Sequence, residues 1–237
     1  MIAIFKRELR AFFVNPIGYV VLAALFGISG FFFFTYSMVG ESADLSNMYS
    51  SLFSVVLLAL PFLTMRLFSE EKRQKTDQAL FTAPTGLTGI VVGKFLATLT
   101  LFAIGLSITL VYALIIECQP ATAVDWVLTA GNLLGLLLLG GLIISIGVLI
   151  SSLTESQIVA AIGTLGVSLI LICIDLLGSL FSNVTWITKA TAFLSISSRF
   201  SDFTAGLIYY DNVFFFLTAQ VLFLFLTVRV LDSKRWN

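Results

Sequence analysis

The sequence predicts an all-α integral membrane protein with six transmembrane helices. Three observations carry that prediction. Of the 237 residues, 59% are hydrophobic and only 11% are charged. A soluble domain typically has about 25% charged residues and about 45–50% apolar ones, so the apolar surplus here must face lipid. Apolar runs of about 20 residues, the length that crosses a hydrocarbon core, recur six times. Finally, the basic residues divide unevenly once those runs are drawn. Lys6, Arg7, Arg10, Arg66, Lys72, Arg73, Lys75, Lys94, Arg229, Lys234 and Arg235 fall on one side, and only Lys189 and Arg199 on the other. By the positive-inside rule, both termini and the 66–94 loop are expected in the cytoplasm. An odd number of spans would separate the two basic termini, so the charges favour six. Unbroken apolar runs without alternation exclude a β-barrel.

The elements follow in chain order, as one transmembrane domain over 1–237. In segment 1–15, Ile2, Phe5, Leu9, Phe12 and Phe13 recur near helical spacing with Lys6, Arg7 and Arg10 between them. That pattern suits an amphipathic helix in the cytoplasmic interface, or more plainly a charged flank before a span. Asn15-Pro16 ends it. The first span runs from Ile17 to Val39 and is closed by Glu41 and Asp44. The second runs from Tyr49 to Leu67.

A charged cytoplasmic segment over 66–89 follows, with Lys94 beyond it. Arg66/Glu70 and Glu71/Lys75 are spaced as i,i+4 ion pairs on a helix, and Ala83-Pro84-Thr85-Gly86 breaks it. The segment is too small to fold alone. It reads either as a docking surface for a cytoplasmic partner or as a solvated, salt-bridged loop. The third span runs from Ile90 to Glu117, the fourth from Val127 to Ile150, and the fifth from Ile158 to Leu180. The sixth runs from Asn212 to Leu231. Between the last two, 182–211 is long for a loop and rich in aromatics. It suggests short re-entrant or interfacial helices capped by Asp202 and Asp211.

The composition also excludes chemistry. The chain has no His, the commonest general base and metal ligand. Only Cys118 and Cys173 could offer thiolates, so no metal site is expected. Gly89-Ile-Val-Val-Gly93-Lys94-Phe95 has the wrong spacing for a phosphate loop, and Phe95 stands where Ser or Thr belongs. Glu70-Glu71 has no His to form a metalloprotease, and no serine has a His base. Catalysis by this chain is therefore not expected, nor is a nucleic-acid partner. Of the acids near lipid, Glu117 closes span three, Asp125 precedes span four, and Asp175 lies within span five. Asp175 is a functional candidate by its depth, though an interfacial or interhelical role fits as well. Gly131 and Gly135 form a GxxxG packing motif, within the chain or between chains.

These residues carry a family resemblance. FKRELRAFFVNPIGYV at the N-terminus, Met65–Ala97, Ser195–Leu217 and the basic end VRVLDSKRWN resemble type-2 ATP-binding-cassette permeases, and most nearly their gliding-motility type. Ser151–Ala161 is similar to the family's short inner loop. The resemblance implies a six-span half-transporter of the bacterial inner membrane, most simply an exporter. It implies pairing with a second permease chain, as a homodimer, and docking of a separate ATPase subunit that holds ATP and magnesium. Glu70, Glu71, Lys72, Arg73, Lys75, Asp77 and Gln78 would form the coupling surface. An auxiliary membrane protein with a large outer domain is implied as well. Two other functions compete. One is a scaffold or mechanical transmitter driven by a partner ATPase. The other is a secondary transporter, which the lack of an evident inverted repeat disfavours. The cargo is not legible, although a Phe-rich interior leans towards lipid-like or amphipathic molecules.

Overall fold

The computed structural model describes residues 1–40, 44–75, 86–118, 124–180, 191 and 194–235; side chains are described except at 175–180 and 234–235. Among the described residues the chain is helical and contains no strand. Helix α1 (Ile2–Val14) ends at Asn15, whose extended backbone suits a residue before proline. Pro16 then opens α2 (Pro16–Phe33) at a position where its missing N–H costs nothing. The turn is tight: a Cβ on Gly18 would lie 2.3 Å from the Phe12 carbonyl oxygen, so only glycine lets α2 fold back over α1. A π-helical turn (Phe34–Val39) extends α2.

Among the described residues, the remaining helices are α3 (Ser46–Thr64), α4 (Ser69–Arg73), α5 (Leu87–Glu117), α6 (Trp126–Leu153), α7 (Gln157–Leu180), α8 (Ile196–Thr204) and α9 (Tyr210–Arg235). Among the described residues, six helical runs are long and apolar enough to cross a membrane: Pro16–Val39, Ser46–Arg73, Leu87–Glu117, Trp126–Leu153, Gln157–Ile174 and Tyr210–Ser233. The sequence-based spans agree with these within a few residues, except that the second continues past Leu67, through a short turn, into α4, and that the fifth, expected to reach Leu180, is the run Gln157–Ile174 within a helix that ends at Leu180.

Helix α6 is the centre of the bundle. It packs on α3, α5, α7, α8 and α9, and 67% of its span is buried, against 17% for α9. Small residues permit this. A Cβ on Gly140 would meet the Phe102 ring at 2.1 Å, one on Gly141 would meet Gln220 at 2.8 Å, and one on Gly147 would meet Thr64 at 2.1 Å. Gly131 and Gly135 face Phe203 of α8 rather than another long helix. The α8 N-terminus is capped by Ser195, whose Oγ accepts from the Ser198 N–H at 3.1 Å. Asp202, expected as a cap, lies inside α8 and accepts from Asn212 Nδ2 at 2.8 Å, while Asp211 sits in the first turn of α9.

Candidate functional site

Four charged side chains meet at the end of the bundle that bears the N-terminus, and they come from three elements. Glu8 belongs to α1, Glu71 to α4 and Lys94 to the third turn of α5. Arg7 closes the group from the rim. Lys94 Nζ lies 2.9 Å from Glu71 Oε1 and 3.2 Å from Glu8 Oε1. The Arg7 guanidinium lies 2.7 Å from Glu8 and 3.0 Å from Glu71. Two cations thus face two anions, and each carboxylate is shared. Lys94 is 1% exposed. Its ammonium also donates to the Leu67 carbonyl at 2.7 Å and lies 5.0 Å from the centroid of the Phe68 ring. A buried ammonium needs such a complete set of acceptors, because an unmatched charge in a low-dielectric interior is costly. Burial pushes the Glu8 carboxyl up, but Lys94 and Arg7 outweigh that and hold it below the usual carboxylate range.

The position of α4 is fixed from a second direction by the end of α6. Ser151 Oγ accepts from the backbone N–H groups of Phe68 and Ser69, at 3.0 and 3.1 Å, and donates to the Met65 carbonyl at 3.1 Å. It does for α4 what an N-cap side chain ordinarily does, but from another helix. Ser69 Oγ also donates to the Met65 carbonyl, and Lys72 Nζ donates to the Ser152 carbonyl. Arg66 lies over the Phe12 ring at 5.1 Å and so adds a contact from the end of α3 to α1.

The structure divides the residues singled out from the sequence. Arg7 and Glu71 join the ion cluster, and Lys72 ties α4 to α6. Glu70 accepts from Gln74 Nε2 at 3.3 Å. Arg73 and Lys75 are exposed. The expected helical pairing of Glu71 with Lys75 is replaced by the contacts of Glu71 with Arg7 and Lys94. The helix stops at Arg73, and Lys75 turns away with φ +56°. Lys6 and Arg10 are exposed on α1, on the side away from Phe12. Asp77 and Gln78 lie outside the described residues, and Asp175 is on α7 with its side chain outside them. No group of three His, Cys, Asp or Glu that could hold a metal occurs among the described residues. Cys118 and Cys173 are free and exposed.

Sequence reasoning missed Glu8, Lys94 as a buried group, Ser151 and Ser152. Two signals were present. Glu8 shares the i, i+3, i+4, i+7 face of Phe5, Leu9 and Phe12, so the acid points inward with the aromatics. Lys94 is a lone cation inside an apolar run, and such a residue implies a buried partner. No signal marked the serines, because a hydroxyl capping another helix leaves no local pattern.

The chain matches the family model described as ABC-2 family transporter protein over residues 40–232. No curated protein matches it. The matched region spans more than half of the chain, with four complete membrane-crossing helices and all but the end of a fifth, whereas Arg7 and Glu8 precede it. With its six apolar helices and the α4 joint at one end, this multi-pass protein belongs to the ABC-2 transporter family, as a membrane-spanning permease subunit.

Proposed function

We propose that this permease is one half of an ATP-driven exporter of the gliding-motility type, and that it pairs with a second copy of itself. It would sit in a bacterial inner membrane with both termini in the cytoplasm. A separate ATPase subunit, which supplies ATP and magnesium, docks on the outer side of α4 and the turn after it, where Arg73 and Lys75 are exposed and Glu70 is half-buried. The adjoining Asp77 and Gln78 extend that surface in sequence. An auxiliary membrane protein with an outer domain completes the assembly. The single observation that supports the reading is the Lys94 cluster: α4 is joined by buried charge to α1 and α5 at once. A partner that pushes α4 therefore moves the interfacial helix and a membrane span together. In physical terms, the partner's nucleotide state biases a helix bundle with two arrangements.

The test is purification of the complex with its natural partners. An ATPase subunit should co-purify with the wild-type chain. The double variant Arg73→Glu/Lys75→Glu should release it while leaving the membrane chain folded, because neither side chain is buried. If no ATPase co-purifies with the wild type, the reading fails. If the ATPase stays bound and is not stimulated by any amphipathic cargo, the export assignment fails and a mechanical role replaces it.

A further inference from the structure

At the end of the bundle opposite the ion cluster, a cavity of about 530 Å3 opens beside the start of α9. Its walls are Arg199 from α8, Tyr209 from the connecting turn, and Asp211, Asn212, Phe214, Phe215 and Thr218 from α9. Arg199 is the one basic residue at this end among the described residues. Its guanidinium donates to Asn212 Oδ1 at 2.8 Å and lies over the Phe215 ring at 4.2 Å. Asn212 is 5% exposed and in turn donates to Asp202. The cation is thus set on a fixed mount facing a cavity, with the exposed carboxylate of Asp211 on the same wall.

The charges on this wall suit neither a simple anion nor a simple cation. A free anion would meet Asp211 and a free cation would meet Arg199. A ligand that carries both signs a few ångströms apart satisfies both, with its anionic part in the guanidinium fork. The wall below the cavity is apolar. Asp211, Phe214 and Thr218 follow one another at helical spacing, and Val221, Leu222 and Phe225 continue the row, exposed, towards the middle of the span. Tyr209 and Tyr210 stand exposed at the mouth, as aromatics do at the level of lipid head groups. A polar mouth above a long apolar stripe on the least buried span fits an amphiphile with its head at the interface and its chains along the helix.

We propose that this cavity binds a phospholipid of the adjacent leaflet whose zwitterionic head group ends in a primary ammonium, with the phosphate at Arg199 and the ammonium at Asp211. The site depends on membrane insertion and not on the ATP-driven reading above, so the two stand or fall separately.

The test uses the full-length protein in nanodiscs containing equal parts of phosphatidylethanolamine, phosphatidylcholine and phosphatidylglycerol with identical chains. After transfer to detergent, retained lipid is counted by native mass spectrometry. Phosphatidylethanolamine should be retained about tenfold over phosphatidylglycerol, as expected for one added charge-assisted hydrogen bond. Phosphatidylcholine, whose quaternary ammonium cannot donate to a carboxylate, should fall between them. Asp211→Asn should bring the ethanolamine-to-glycerol ratio to near one. Arg199→Gln should lower retention of all three. Thr218→Trp, which fills the groove with an exposed side chain, should lower retention even if Arg199→Gln unfolds. Equal retention of the three lipids by the wild type would mean annular lipid only and would overturn the site. So would an Asp211→Asn protein with unchanged selectivity.

Discussion

Each end of the bundle places a cation against a phenylalanine ring and near carboxylates, yet the two arrangements differ in kind. At the α4 end, Lys94 touches Glu8 and Glu71 directly and is sealed from solvent. At the other end, Asn212 stands between Arg199 and Asp202, and the guanidinium lines an open cavity. Direct, sealed pairing holds three elements together and leaves no room for a ligand. At the other end, the Asn212 amide and the Phe215 ring hold the guanidinium at the wall of a cavity. The same residue chemistry therefore makes a joint in one place and a receptor in the other, and packing decides which.

The largest effect should come from breaking the joint at its centre. Lys94→Met leaves Glu8 and Glu71 facing each other at a buried site, and should destabilise the purified protein by about 3–5 kcal/mol in thermal or denaturant unfolding. Adding Glu8→Gln and Glu71→Gln to the same chain removes the stranded charges and should recover much of that loss. A triple variant no more stable than Lys94→Met would mean that packing around the lysine, not charge, holds the joint.

Next in size is an insult to the opposite end. A Cβ on Gly135 would lie 2.9 Å from Phe203 Cβ. Gly135→Leu should therefore displace α8 and cost about 1–3 kcal/mol. It should also weaken lipid retention at Arg199 while leaving attachment of α1 intact, as read by hydrogen exchange of α1 amides.

A pH titration sharpens the contrast further. Glu8 is held below its ordinary range, so its contribution is fully present above the unfolded value of about 4.3. That contribution is lost progressively as the pH falls from there through the lower folded value. Hydrogen exchange of α1 should accelerate over that window, and Glu8→Gln should abolish the Glu8-dependent part of the pH response. Smallest of all, Arg7→Ala should cost about 0.2–1 kcal/mol, because its side chain is 53% exposed and its pairing is screened by solvent.

The six spans were legible because lipid imposes a single rule, apolarity sustained over a fixed length, and the chain obeys it in every run. Contacts between distant segments were not. The spacing of Glu71 and Lys75 fits a helical pair, but the short α4 ends before the lysine can complete it, and a cation 23 positions later in the chain lies against the carboxylate instead. Lys94 was counted as a flank of its span, whereas its helix begins at Leu87 and carries it inward among apolar neighbours. Local patterns report which face of a helix is polar. They do not report which other helix that face will meet.

Helix α6 is the most deeply buried of the membrane-crossing helices. It runs unbroken for 28 residues, roughly 42 Å at the rise of an α-helix. At one end Ser151 and Ser152 grip α4, and at the other Gly131 and Gly135 seat the Phe203 side of α8. A continuous helix resists compression along its axis, so α6 behaves as a stiff rod clamped at both tips. A push along that axis at the α4 tip would therefore act on the helix that carries Arg199.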